Sequence, residues 1–111
     1  DDVQDNFTIM KEEPFGPLVP VLTFKDFDEV VERANNNDLG LCSYLYTNSM
    51  DKANRASEMM ETGCVAVNTA AVAVAEAPFG GIKQTGYGRE GGSMAIKDYL
   101  NIKYTHMGLK T

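Results

Sequence analysis

The sequence predicts an α/β fold built on a parallel sheet in βαβαβ order. Two patterns carry this. Short apolar runs alternate with stretches of helical periodicity, as they do where crossover helices join parallel strands. One of those runs, Cys64 to Asn68, is brief and bounded by turn residues, as expected of a strand covered on both faces.

The elements follow in order. Residues 1–17 are polar, then punctuated by Gly and Pro, and read as loop. Leu18 to Phe24 has the composition of a strand, with Pro20 confining it to an edge or a bulge. Asp26 stands where an N-cap is needed, and Glu29 completes a capping box three residues on. Phe27, Val30, Val31 and Ala34 then recur at helical spacing and present one apolar stripe. Asn35, Asn36, Asn37 and Gly40 stop that helix. Leu41 to Thr47 reads as a strand. Ser49 caps a second helix, Asp51 complements its dipole, Ala53, Ala56 and Met60 give its inner face, and Gly63 is expected to end it. A Gly-rich stretch runs from Pro78 to Gly92. A third helix is expected over Met94 to Leu100. The tail, Asn101 to Met107, alternates like a strand.

The chain has 111 residues, which suits one ordinary domain or a piece of a larger one. Its first residue is Asp, so the expectation is a chain that starts inside a longer product. Apolar residues make up 43% and charged residues 23%, a globular balance. The net charge of −6 argues against nucleic acid or an anionic membrane as partner. Two cysteines make no disulfide framework, and no signal peptide or membrane-spanning run is legible, so a reducing, cytoplasmic setting is expected.

Gly86, Gly88 and Gly91 spell a G-x-G-x-x-G pattern, but no strand pattern precedes it and no acidic residue stands about 20 positions on. It reads as a loop whose glycines permit positive φ or close backbone approach. Cys42 and Cys64 have apolar neighbours and no nearby His, which fits small buried hydrophobes better than nucleophiles. Metal-ligand spacing is absent. Two clusters remain. Lys11 to Pro17 sets Glu12 and Glu13 beside Phe15 in a stiff loop. A carboxylate there can accept from two vicinal hydroxyls while the ring packs on a flat heterocycle, although a solvated turn is the plainer reading. The second, Ala77 to Glu90, is a long loop with one phenylalanine. It is either a site or a packed surface loop.

Taken in register, Glu12-Glu13-Pro14-Phe15-Gly16-Pro17, then Asn68, then Pro78 to Glu90, resemble the C-terminal part of NAD(P)-dependent aldehyde dehydrogenases. The ending Asp98 to Tyr104 is most similar to the succinate-semialdehyde branch. The resemblance implies the last part of a catalytic domain over 1–100 and an oligomerisation strand with its tail over 101–111. It implies a parent enzyme that oxidises an aldehyde to the acid with NAD or NADP through a cysteine thiohemiacetal and thioester. The nucleophile, base and nucleotide-binding domain would all lie upstream, and the parent would be a dimer or tetramer. It also implies roles: Glu13 on the nicotinamide-ribose hydroxyls, Phe15 near the nicotinamide, and Phe79, Ala71 and Ala73 along a substrate tunnel. Glu90 would serve in a proton relay, and the backbone around Lys83 and Gly86 would form a monovalent-cation site. The plainer role for Glu90 is to order the glycine loop. Ala73 and Val74 stand where succinate-semialdehyde enzymes carry hydroxyls, and Asn101 stands where many members carry Glu. A less polar or larger aldehyde is therefore also open. The alternatives are an acyl-phosphate or acyl-CoA reductase of the same superfamily, and a non-catalytic interaction fragment.

Overall fold

Two side-chain caps start the two helices. In the computed structural model, which describes residues 3–110, the Glu29 N–H donates to Asp26 Oδ1 at 2.9 Å, opening helix α1, Phe27–Asn35. The Lys52 N–H donates to Ser49 Oγ at 3.3 Å, opening helix α2, Met50–Met59. The reciprocal half of the capping box is shifted by one residue, because Glu29 Oε2 takes the N–H of Lys25 and not that of Asp26.

Helix α1 ends within its asparagines. Asn35 turns its amide outward to α2, donating to Met59 O and accepting from Glu61 N–H, both at 2.8 Å. The C-terminal ends of the two helices are thereby tied together. Arg55 closes the same interface, 4.5 Å from the centre of the Phe27 ring and 2.7 Å from Asp28.

The strands that follow are short. β1 is Leu39–Gly40, β2 is Cys42–Leu45, β3 is Cys64–Val67 and β4 is Ile82–Lys83. β2 and β3 pair in parallel across α2 with Cys42 opposite Cys64 and Leu45 opposite Val67, so a strand–helix–strand unit forms where the alternation predicts one. β1 pairs antiparallel with β4. Asn68 lengthens the parallel pair. At φ 56° it leaves the strand direction, and its amide then exchanges two 2.9 Å hydrogen bonds with the backbone of Thr47. A side chain thus supplies one more rung.

Gly63 does not end α2. Met60 does, in an extended conformation, and Gly63 has another reason to be glycine: a Cβ there would lie 1.8 Å from Gly80 O. The Gly-rich segment passes backbone to backbone over the start of β3.

The core is thin. Val31, at 5% exposure, Ala53, Ala56 and Ala66 are its buried apolar side chains, and no large side chain among the described residues is fully buried. Ala34 of the expected stripe is exposed. Two arms leave this centre. Residues 18–24 make no ladder, and Val19 is 82% exposed. The expected third helix is a short 3₁₀ turn, Ala95–Tyr99, and residues 101–110 are exposed and form no strand. In both arms the reason is the same: extended backbone becomes a strand only beside a partner, and no described residue offers one. The radius of gyration is 19.6 Å, against the ~13 Å of a compact domain of about 100 residues.

Candidate functional site

The Gly-rich segment is organised by a single antiparallel bridge. Phe79 N–H donates to Glu90 O, and Glu90 N–H to Phe79 O, each at 2.7 Å. A pair that exchanges both bonds sends its two side chains to the same side of the ladder. Two of the expected site residues, eleven positions apart, are therefore neighbours.

The loop between them is held from inside and outside. Arg89 Nη1 donates to Gly81 O at 2.8 Å and to Gly88 O at 2.7 Å, pinning both legs. Its own N–H goes to Asp98 Oδ2 at 2.8 Å, which fastens the 3₁₀ turn to the loop. Thr85 Oγ1 accepts from Gly40 N–H at 2.8 Å and fixes the loop to β1. The chain can reverse here because Gly91, at φ 72°, is open to this conformation, and a Cβ there would also meet Ala77 O at 2.7 Å. The bridge, the loop and the 3₁₀ turn enclose a cleft of about 470 Å³, lined by Leu41, Phe79, Arg89, Glu90, Asp98 and Tyr99 among others.

A second cleft, of about 320 Å³, lies between the Glu12–Glu13 loop and the β1–β2 edge, with Leu41 common to both. That loop is anchored at its root. Arg33 of α1 binds Asp5 at 2.8 Å, Glu29 at 3.3 Å and the carbonyl of Thr23, and the hydrogen bond to Asp5 holds its guanidinium above the ordinary arginine value. At its tip two tight turns, Gly16 N–H to Pro14 O and Leu18 N–H to Gly16 O, present Phe15 at 96% exposure. Glu13 is exposed beside it and makes no hydrogen bond among the described residues.

Ala71 and Ala73 are exposed and line neither cleft. Their segment still reaches the loop, since Gly92 N–H donates to Ala75 O at 2.8 Å. Lys83, at φ 57°, sends its ammonium to Asn35 O at 2.8 Å and Asn37 O at 3.0 Å, beside Glu61, where a cation favours the end of α1. The Lys83 carbonyl accepts from Gly86 N–H at 3.3 Å. The carbonyls of Asn35 and Asn37 thus take the lysine's own ammonium.

Cys42 and Cys64 face each other across the parallel pair as free thiols. Burial first, and Cys64 second, push the Cys42 thiol up, which opposes thiolate formation at neutral pH. Neither sulfur has a histidine nearby, because His106 lies in the exposed tail against Tyr104.

Thr85, Asp98 and the Arg89 side chain emerge as the residues that shape the site, and Asn68 as one that extends the parallel pair. Sequence reading did not assign them this work. Asn after a strand was a usable signal for Asn68, given its tolerance of positive φ. The others act across many residues and left no local mark.

The Glu13 carboxylate and the Phe15 ring are both exposed. A carboxylate without protein partners beside an exposed ring suits ribose hydroxyls and a flat heterocycle. The glycines at 86, 88 and 91 have positive φ and are followed only by the five-residue 3₁₀ turn Ala95–Tyr99.

Comparison with known proteins places these features in a family. The model of the aldehyde dehydrogenase family matches residues 1–105. The chain is 50% identical over 107 residues to a 3-sulfolactaldehyde dehydrogenase of Pseudomonas putida, covering 96% of this chain and 22% of that protein. It is 45% identical over 108 residues to the NADP(+) succinate-semialdehyde dehydrogenase of Escherichia coli, again over 97% of this chain and 22% of the relative. The crystal structure of succinate-semialdehyde dehydrogenase from Burkholderia pseudomallei superposes with a TM-score of 0.89 at 42% identity, over 94% of this chain and 22% of that one. The chain thus spans about a fifth of the length of the relatives it matches. One relative is named for NADP(+) and an aldehyde dehydrogenase of Bacillus cereus is solved with NAD+, so the family works with NAD or NADP. On its match over residues 1–105, the chain belongs to the aldehyde dehydrogenase family.

Proposed function

We propose that the chain is the C-terminal part of the catalytic domain of an enzyme that oxidises an aldehyde to the carboxylic acid with NAD or NADP. The family match over residues 1–105 carries this reading. Residues 1–100 belong to the catalytic domain and its parallel βαβαβ sheet, and residues 101–111 form the strand and tail through which subunits associate. The nucleophilic cysteine comes from outside these residues. The bound dinucleotide supplies the hydride acceptor. Glu13 orients it by accepting from the nicotinamide-ribose hydroxyls, and Phe15 packs near the nicotinamide. Phe79, Ala71 and Ala73 form tunnel wall. Glu90, held beside Phe79, moves a proton at its carboxylate during hydrolysis of the thioester.

The side chains at 71 and 73 offer a distal carboxylate no donor, so semialdehyde specificity, where present, is set by residues elsewhere in the enzyme. A polar or acidic aldehyde agrees with the names of the relatives, two of which act on succinate semialdehyde and 3-sulfolactaldehyde.

The test separates the two clefts. In the complete enzyme Glu90→Gln retains the burst of reduced cofactor and slows the steady state. Glu13→Gln slows the burst itself, since losing a hydrogen bond to a charged group costs about 1.5–3 kcal/mol. Rapid-mixing absorbance of the reduced cofactor measures both. If Glu90→Gln loses burst and melting temperature together, Glu90 only orders the loop. If Glu13→Gln leaves cofactor binding and burst unchanged, its role is rejected.

A further inference from the structure

Cys42 and Cys64 have no part in the proposed chemistry, yet they occupy an unusual position. They are register partners at the first residues of β2 and β3. Partners in a ladder project to the same face, and their Cα atoms lie about 4.8 Å apart. That is inside the span of roughly 4.4–6.8 Å that a disulfide bridges.

The surrounding backbone already holds them there. Gly63 N–H donates to Gly40 O and Cys64 N–H to Leu41 O, both at 3.0 Å. Both thiols are free and only half-buried. Cys42 lines the cleft beside Glu12 and Glu13. Cys64 donates to Gly80 O at 3.7 Å, one residue from Phe79. No group of three His, Cys, Asp or Glu gathers among the described residues, so the pair lacks the further ligands of a structural metal site.

We propose that Cys42 and Cys64 form a vicinal dithiol, a modification site that closes reversibly to an intrachain disulfide under a peroxide. Cys64, having given up its proton, attacks the peroxide and becomes a sulfenic acid, and the hydroxide released takes that proton to leave as water. The second thiol then displaces the oxygen from that sulfur and releases a second water. Two S–H bonds and one O–O bond are lost, one S–S bond and two O–H bonds form, and two electrons pass from sulfur to peroxide. Closure also removes the Cys64 donor from Gly80 O, so the bond touches the loop that carries Phe79. The assignment does not depend on the catalytic reading.

The experiment uses the full-length polypeptide that carries this chain, reduced, folded and treated with hydrogen peroxide. Tryptic mapping without reductant should find residues 34–52 linked to residues 56–83. The linked pair should be about 2 Da lighter than the two peptides together and should be released by dithiothreitol. Linkage should form at least about tenfold faster in the folded protein than in concentrated urea, because the ladder supplies the proximity. Phenylarsine oxide, which bridges two thiols, should protect both cysteines from iodoacetamide together. The proposal is overturned if the cysteines gain oxygen separately, if they link only between chains, if urea leaves the linkage rate unchanged, or if the arsenical protects neither.

Discussion

Residues 42–67 and residues 101–110 are both rich in apolar and β-branched or aromatic side chains, and they end in opposite states. In the first, α2 carries the chain back so that β3 lies beside β2, four register pairs form and Ala66 is 4% exposed. In the second, Ile102, Tyr104 and Met107 stand almost wholly in solvent along an arm of a molecule 80 Å long and 24 Å across its narrowest axis. The difference lies in the partner. The centre brings its own, and the described residues offer the tail none.

The sharpest way to break this comparison is to remove the tail. In the complete enzyme, deleting residues 101–111 should shift the assembly to monomer while the centre keeps its fold. Light scattering with far-UV circular dichroism reads both. An unchanged oligomer mass and Tm would mean that the tail has no partner of consequence. The next largest effect should come from the centre. Gly63→Val places a branched side chain where even a Cβ would lie 1.8 Å from Gly80 O, and it should cost about 3 kcal/mol or more. A lowered urea midpoint at unchanged slope would establish it. A loss below about 0.5 kcal/mol would mean that the loop is free to lift from β3. The smallest effect should come from Asp26→Ala, which removes one N-cap bond and should cost about 1 kcal/mol, with Asp26→Asn largely retaining stability. Equal losses in the two variants would point to charge, and not the hydrogen bond, as the source.

What was legible follows the range of the interaction. Asp26 and Ser49 announce their helices because the capping partner lies three residues away. The β2–α2–β3 unit is legible because its connection is a single short helix. Leu18 to Phe24 has the same composition as a strand and makes none here, since composition specifies a backbone conformation and leaves the partner open. The Phe79–Glu90 bridge was invisible for a different reason. It sits in glycines, whose pattern has no period, and its anchors at Gly40, Gly81 and Asp98 come from three separate stretches. Resemblance to a family pointed to both residues, but nothing in the spacing said that they would pair. Gly63 shows the limit of reading glycine locally. As a helix stop it was misplaced, and its cause lies in a strand crossing that only three dimensions contain.

The parallel pair also bears on the order in which this region assembles. β1 and β4 meet across a stretch of chain roughly twice as long as the one between β2 and β3. Closing a loop twice as long costs only about 0.6 kcal/mol more in entropy, so distance alone scarcely separates the two events. The return does: four register pairs and a helix on one side, two register pairs and a glycine-rich segment on the other. The strand–helix–strand unit is therefore the natural nucleus as the chain emerges, and the loop bearing Phe79 and Glu90 docks later onto an edge already built. On that ordering, substitutions in β2, α2 and β3 should slow folding. Substitutions in the glycine loop should chiefly hasten unfolding, leaving the site the first part of this segment to open and the last to close.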